Sequence, residues 1–235
     1  MAPGTVKARR MRRLLARHIA LEGCALLDIG TGTGEIAAGL QTLGARVTAI
    51  DREKHPDLPD SLDFRLVEGS NLPFDDRSFD AAVYTHVIEH VGSRADQRRH
   101  LSEIHRVLRG DGVLYLAVPN LWSPVEPHYK LPLLSWFPER VASAYLRLFG
   151  RNDRYDCRPL SRADLRSLFA EAGFEAEEIT QEVLAAVIGE RLRQPLLRRI
   201  ALTLARQRWL SMPLIPVLVF VARPETTLRI VDSAG

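Results

Sequence analysis

The sequence has few cysteines, no long hydrophobic run and little net charge. Cys24 and Cys157 are the only cysteines among 235 residues. They form no CxxC pair, which excludes a small scaffold held together by disulfides. No stretch of about 18 apolar residues occurs, so we expect no membrane-spanning helix and no signal peptide. Because the two cysteines form no disulfide framework, we predict a globular protein of the reducing cytoplasm. The formal net charge is only +3.

Basic residues are nevertheless concentrated in two segments that carry no acid. Residues 1–20 contain one lysine and five arginines, and residues 191–208 contain six arginines. Helical apolar periodicity predicts a basic amphipathic helix over 5–21, and two helices over 183–210 that are separated near Pro195. Such helices either pack on a sheet with a solvated basic face or contact an anionic membrane surface. Both interpretations stay open.

A glycine-rich turn organises the chain. Residues 25–29 predict a short buried strand, residues 30–34 alternate glycine with threonine, and a helix pattern follows. Glycine lets the backbone approach a ligand closely, and the helix N-terminus offers free N–H groups. Gly34 comes one position too early for the dinucleotide motif G-x-G-x-x-G, and Glu35 stands at its third glycine. This spacing disfavours a nicotinamide-dependent oxidoreductase, which remains as an alternative.

The pattern Asp28-x-Gly30-x-Gly32-x-Gly34 resembles motif I of the class I S-adenosylmethionine-dependent methyltransferases. Further segments resemble that family in the same order along the chain: an acid ending a second strand at 51, the segments 69–80, 85–91 and 106–112, and the helix-to-strand segment 165–174. The resemblance implies an α/β, doubly wound, Rossmann-like fold. Its seven-stranded sheet is expected to be mostly parallel, with an antiparallel last strand and an insertion after strand 5.

The same resemblance implies S-adenosyl-L-methionine as the cofactor. The expected cofactor-binding residues are Asp28, Gly30, Thr31, Gly32, Gly34, Asp51, Ser70, Asn71, Leu72 and Thr85. A carboxylate at the position of Asp51 accepts hydrogen bonds from both ribose hydroxyls. Ser70 and Asn71 stand where the family has an aspartate that accepts from the adenine amino group, and Leu72 would pack on the adenine ring.

Two histidines are candidates for a general base that deprotonates an acceptor hydroxyl. His86 follows the fourth predicted strand, and His128 lies in the insertion. A spectator role for His86 stays open. In a helical turn, His86, Glu89 and His90 would share one face and could bind a divalent metal. Because the Glu-His pair recurs in metal-free members of the resembled family, we expect no metal.

The predicted organisation is one methyltransferase domain over 1–235, with a basic helix over 1–23 and an insertion or lid over 121–160. A long connection of this kind is usually a lid or a substrate site. Its tryptophans, tyrosine and prolines suit a flat apolar or sugar-like acceptor. The block 119–138 also looks like methyltransferases from polysaccharide and glycolipid gene clusters.

We therefore predict methyl transfer from S-adenosyl-L-methionine to a hydroxyl oxygen of a small-molecule, sugar or lipid-linked acceptor. A nucleic-acid acceptor is disfavoured, because Thr85-His86-Val87-Ile88 stands where amino-group methyltransferases acting on nucleic acid carry N-P-P-Y. A non-catalytic methyltransferase-like binding module is a further alternative. The expected location is the cytoplasm, with peripheral contact to the inner face of the membrane left open. The oligomeric state is not predicted.

Overall fold

The structure, a computed structural model, describes residues 3–151, 154–192, 194–196, 199, 203 and 215–225. Within that part of the chain, seven strands form one sheet. In chain order the strands are Ala25–Ile29 (β1), Arg46–Asp51 (β2), Asp63–Leu66 (β3), Phe79–Thr85 (β4), Leu108–Pro119 (β5), Phe174–Glu178 (β6) and Val217–Pro224 (β7). The α-helices are Pro3–Leu15 (α1), Glu35–Gln41 (α2), Arg94–Val107 (α3), Glu139–Leu148 (α4), Arg162–Glu171 (α5) and Thr180–Arg191 (α6).

The strand order across the sheet is β3-β2-β1-β4-β5-β7-β6. The first five strands of this order pair in parallel, whereas β7 is antiparallel to both β5 and β6. This confirms the predicted doubly wound α/β fold with an antiparallel last strand. The order reverses between β1 and β4, and the carboxyl ends of strands at such a point form the crevice where open α/β sheets bind ligands.

The sheet forms because β1 and its neighbours are apolar on both faces, as buried parallel strands require. Leu27 and Ile29 pack into one core, which α3 and α5 cover, and Leu26 packs into the other, which α1 and α2 cover. Both cores are formed mainly by aliphatic side chains. The glycine turn is thereby fixed at the end of a fully packed central strand.

The N-terminal basic helix packs on this body. Its apolar side is buried in the second core, including Ala8, Met11 and Leu15. On its basic side, Arg10 Nη2 lies 2.6 Å from Glu190 Oε2 of α6, and Arg13 pairs with the same carboxylate. The predicted second basic helix falls mostly outside the described residues. None of the helices in the described ranges is long and apolar enough to cross a membrane.

Two details of the last strand differ from the prediction. The sequence predicts Pro216 inside a strand over 214–221, at an edge or a bulge. Instead β7 begins at Val217 and lies between two other strands. Proline has no N–H to donate, so a central strand starts after it. Arg223, predicted to begin a loose tail, pairs with Glu175 in the sheet and donates to the His18 carbonyl at 2.9 Å.

One helix boundary also differs. The sequence predicts that Gly110 ends the helix before strand 5, but α3 ends at Val107 and β5 already begins at Leu108. The pairing of β4 with β5 shifts register between Phe79 and Ala81. The extra residues around Gly110 are accommodated at this irregularity, so this glycine belongs to a strand rather than to a helix cap.

The insertion follows Asn120, which is completely buried. Asn120 Nδ2 donates to the Ile215 carbonyl at 2.9 Å, and its Oδ1 accepts from the Trp122 N–H at 3.1 Å. The insertion then forms a 3-10 turn at Leu134–Trp136, the helix α4 and a small core of its own. One amide therefore ties the start of the insertion to the segment before β7. That residues 121–160 act as a lid stays a prediction.

Replacing Asn120 by alanine is expected to lower the free energy of unfolding by about 1–3 kcal/mol, because a buried carbonyl and a buried N–H lose their partner. Urea denaturation measures the change. Ser102→Ala, on the exposed side of α3, is the control and should stay within about 0.5 kcal/mol of the unchanged protein. Equal stability of the two variants would contradict the anchoring role.

Candidate active site

The glycine turn after β1 has the backbone shape of a ligand cradle. Gly30, Gly32 and Gly34 all have positive φ, at 70°, 52° and 71°. The N–H groups of Gly30 and Thr31 donate to the Ile50 carbonyl at 2.8 and 3.1 Å, which fixes the turn to the end of β2. A Cβ on Gly30 would meet Val87 Cγ2 at 2.2 Å, whereas a Cβ on Gly32 would meet nothing within 4 Å. The turn leaves open space at Gly32.

Two predicted carboxylates hold this turn in different ways. Asp51 accepts from the Gly32 N–H at 2.9 Å and from the Arg52 N–H at 2.7 Å, and it lines the cleft beside the turn. Asp28 is buried and accepts from Thr31 Oγ1 at 2.7 Å. Burial raises the pKa of Asp28 to about 6. Asp51 is thus placed to meet a ligand, and Asp28 supports the turn from behind.

The cleft has a volume of about 430 Å³. Among the predicted residues, Gly30, Asp51, Ser70, Leu72 and His86 line it. The other predicted cofactor residues do not line it: Asp28, Thr31, Gly32, Gly34, Asn71 and Thr85. Of these, Asn71 is exposed. The structure therefore brings together one group from each predicted segment, with Ser70 rather than Asn71 facing the cleft.

Part of the cleft wall is formed by residues that the sequence did not predict as site residues. Val87, Val91, Gly92, Asp96 and His100 line the cleft as well. They follow β4 directly or lie in the first turns of α3, and segment 85–91 is the sequence signal that points to this wall. His100 Nδ1 lies 2.9 Å from the Tyr84 hydroxyl, and burial lowers the pKa of His100 to about 4. The imidazole of His100 is therefore neutral at pH 7 and forms part of the cleft wall.

A polar cluster lies where β4 meets the insertion. Glu89 is 0% exposed, and neither of its carboxylate oxygens has a hydrogen-bond partner among the described residues. His86 Nδ1 lies 3.5 Å from Glu89 Oε1, and His128 Nε2 lies 3.8 Å from the same oxygen. His86 also has a φ of 57°, a region that non-glycine residues rarely adopt. The two predicted catalytic histidines therefore converge on one buried carboxylate.

His128 is held by a second carboxylate. Its Nδ1 lies 2.9 Å from Oε1 of the buried Glu126, whose Oε2 accepts from the Tyr129 N–H at 2.6 Å. The hydrogen bond to Glu126 raises the pKa of His128. Because an ionised carboxylate only accepts, Nδ1 carries a proton. Nε2 is the nitrogen that remains for other partners.

His90 takes a different position from the one that a helical turn predicts. Residues 88–90 form a 3-10 turn rather than an α-helix, and His90 Nδ1 lies 3.6 Å from Asp156 Oδ2. His90 is not part of the group of ligand atoms that converges at Glu89. The third member of that group comes from the insertion, 39 residues further along the chain.

A second cavity of about 520 Å³ lies on the other side of the cluster. Glu89 lines it together with residues of the insertion, including Leu121, Phe137, Tyr155 and Arg158. His90 and Gly92 line both this cavity and the cleft. The cluster is therefore a boundary between two cavities, one beside the glycine turn and one beside the insertion.

Comparison with known proteins gives the family context. Residues 27–116 match the family model described as a methyltransferase domain. The chain is 34% identical over 131 residues to a ubiquinone/menaquinone biosynthesis C-methyltransferase of Geobacter sp. (strain M21), covering 48% of this chain and 54% of that protein. It is 33% identical over 108 residues to a ubiquinone biosynthesis O-methyltransferase of Methylocella silvestris, covering 37% and 42%. The chain thus spans about half the length of the curated relatives it matches.

A solved structure agrees over the whole fold. The 1,6-didemethyltoxoflavin-N1-methyltransferase of Burkholderia thailandensis, solved with S-adenosylhomocysteine, gives a TM-score of 0.55 at 17% identity and covers 95% of this chain and 79% of that chain. At this identity the likeness concerns the fold.

Alanine at Gly30 is expected to weaken the binding of S-adenosylhomocysteine at least about tenfold, because the new Cβ would collide with Val87 in the cleft wall. Isothermal titration calorimetry measures the affinity. Gly23→Ala is the matched control, since Gly23 also has a φ of 70° but a Cβ added there would meet no atom within 4 Å. Both variants carry the backbone cost of about 1–2 kcal/mol. Equal loss of affinity in both would contradict a local role for Gly30.

Proposed function

Since the chain belongs to the class I S-adenosylmethionine-dependent methyltransferase family, we propose that it transfers a methyl group from S-adenosyl-L-methionine to a hydroxyl oxygen of a lipid-linked aromatic acceptor. The observation that carries this proposal is the His86–Glu89–His128 cluster. It lies between a cleft with the family's cofactor turn and a cavity lined by the insertion. Such a position brings a polar group to the meeting point of two substrates.

The residues of the cleft fit the cofactor. The open space at Gly32 and the positive φ of the three glycines provide a backbone cradle that side chains would fill. Asp51 would accept from the ribose hydroxyls, while Ser70 and Leu72 would contact the adenine. When bound, S-adenosyl-L-methionine supplies a methyl group made electrophilic by a positively charged sulfur. The chain's contribution is then mainly to orient the acceptor and exclude water.

The acceptor hydroxyl needs to lose its proton as the new O–C bond forms. His86 and His128 are the imidazoles of the cluster, and the raised pKa of His128 suits it to accept a proton. Glu126 orients His128 through Nδ1. In this proposal the hydroxyl proton would pass to the cluster while an oxygen lone pair forms the bond to the methyl carbon. The bond between that carbon and the cofactor sulfur would break in the same step, which leaves S-adenosylhomocysteine as the product.

The relatives and the rim of the insertion both support this class of acceptor. The two curated relatives named above are described as acting in quinone biosynthesis, one on carbon and one on oxygen. Removing a proton from a ring hydroxyl raises the electron density both on that oxygen and on the adjacent ring carbons. We place the methyl on oxygen because the cluster would hold the oxygen itself.

The insertion carries an exposed apolar rim that suits a lipid tail. Its exposed members are Trp122, Val125, Leu133, Trp136, Phe137, Val141, Leu148 and Phe149. Leu148 is 80% exposed, and Trp136 is 47% exposed. Contiguous exposed apolar residues of this size mark interaction sites, and tryptophans favour the membrane interface. We propose that the protein works in the cytoplasm and touches the inner face of the membrane through this rim.

Asp51→Ala is expected to lower the affinity for S-adenosylhomocysteine about 30-fold or more, since a charged hydrogen bond contributes about 2 kcal/mol. Calorimetry with S-adenosylhomocysteine measures it, and NADH is the control ligand, which should bind neither protein. Binding of NADH would favour the oxidoreductase alternative. A folded unchanged protein that binds neither ligand would favour the non-catalytic module.

The activity itself is tested with methyl-labelled S-adenosyl-L-methionine and polyprenyl-linked hydroquinones. The unchanged protein should label the acceptor, and Asp51→Ala should lose labelling at low cofactor concentration. Mass spectrometry and NMR of the product locate the methyl group on oxygen or on carbon. A carbon-bound methyl would overturn the oxygen assignment and leave the family activity intact.

Trp136→Ala is expected to reduce co-sedimentation with vesicles of anionic phospholipid several-fold, because an interfacial tryptophan is lost from the rim. Sedimentation of the protein with sucrose-loaded vesicles measures it. Trp122→Ala should act in the same direction, and Leu66→Ala is the control, since Leu66 is 58% exposed at the opposite edge strand β3. Equal retention of all three variants would contradict the membrane contact.

A further inference from the structure

Glu89 is the least satisfied charged group in the described part of the chain. It is 0% exposed, and both of its oxygens are buried without a hydrogen bond from the described residues. Burying an ionised carboxylate is costly unless it is paired and hydrogen-bonded or coordinates a metal. Other buried carboxylates in this protein have partners, as Glu126 accepts from His128 and Tyr129. The arrangement at Glu89 therefore calls for a cation.

The two nearest ring nitrogens lie close to the distances that a shared cation would set. His86 Nδ1 and His128 Nε2 lie 3.5 and 3.8 Å from Glu89 Oε1, too long for direct hydrogen bonds. All three ligand atoms lie within 4.8 Å of one another. Two ligand atoms each about 2.0–2.2 Å from a tetrahedral Zn²⁺ are about 3.3–3.6 Å apart. A small contraction would bring the three atoms to these separations.

The surroundings of His128 match those of a metal ligand. A metal-bound histidine almost always donates its other ring N–H to a carboxylate or a carbonyl, which fixes the ring orientation. His128 Nδ1 is paired with Glu126, so Nε2 is the nitrogen directed at Glu89. Glu126 is itself fixed by the Tyr129 N–H. This is an outer shell of the kind that supports a metal site.

We propose that His86, Glu89 and His128 form a three-ligand site for a divalent transition-metal cation of the zinc class, between the cofactor cleft and the second cavity. Two imidazoles and one carboxylate favour zinc-class cations over Mg²⁺, which prefers oxygen ligands. Three protein ligands leave one coordination position open, the arrangement of catalytic rather than structural zinc sites. The pattern His-x-x-Glu alone does not reveal the site, because the third ligand comes from the insertion.

The role of the cation rests on the proposed function, whereas its binding does not. With a cation bound, the site would supply Lewis-acid chemistry to the acceptor oxygen, and the acceptor proton would leave to water in the second cavity. A bound cation lowers the pKa of a coordinated hydroxyl. His86 and His128 would then hold the cation, and their role as proton acceptors under the proposed function would apply to the metal-free protein.

Metal binding is measured on the full chain after removal of metals with a chelator and titration with Zn²⁺. Elemental analysis after dialysis should give one zinc per chain, and Co²⁺ should give the visible absorption of a low-symmetry four-coordinate site. Glu89→Gln and His128→Ala should each weaken Zn²⁺ binding at least about 100-fold. His90→Ala is the matched control and should keep the affinity within about threefold, although its ring lies 5.6 Å from that of His128.

The results of these measurements either support or overturn the metal site. Glu89→Gln keeps the shape of the side chain and removes a buried charge, so urea denaturation of the metal-free variant should show no loss of stability. Zinc binding by Glu89→Gln equal to that of the unchanged protein would overturn the site, as would dependence on His90 instead of His128. Absence of zinc and cobalt binding by the unchanged protein would also overturn it. S-adenosylhomocysteine calorimetry on the same metal-free sample reports separately on the proposed function.

Discussion

The reversal of strand order between β1 and β4 is the constraint on which the candidate site depends. Because the two strands are parallel neighbours, their carboxyl ends meet at one edge of the sheet, and the segments after them must turn away in opposite directions. The glycine turn follows β1, and His86 follows β4. Gly30 has no room for a Cβ beside Val87, so the turn of one strand and the turn of the other are packed against each other.

The three buried carboxylates around this edge are satisfied to different degrees. Glu126 has two donors, Asp28 has one from Thr31, and Glu89 has none among the described residues. A fold that optimised stability alone would not keep a carboxylate without hydrogen bonds in its interior, because the desolvation cost is not repaid. Such exceptions cluster at functional sites, where the rest of the structure supports the strain. The positive φ of His86, directly beside Glu89, is a second exception at the same place.

Local sequence signals located the half of the site that is built from neighbouring residues. The bounds of β1 and the turn followed from a buried apolar run before glycines. Local sequence patterns do not predict the contact of His128 with Glu89, because that contact depends on how a long insertion folds back over the sheet. Local periodicity also suggested His90 as the partner, since it assumes an α-helical turn where the chain forms a 3-10 turn.

The insertion is tied to the cofactor side of the molecule through backbone contacts as well as through His128. The Arg158 N–H donates to the Glu89 carbonyl at 2.7 Å, and Arg158 Nη1 donates to the Gly92 carbonyl at 2.9 Å. Gly92 lines both cavities, so one arginine holds the segment that separates them. A shift of the insertion on acceptor binding would therefore move Glu89 and its turn together, and an empty cofactor cleft would leave that turn less supported on its other side. The two cavities therefore share a wall that Arg158 ties to the insertion.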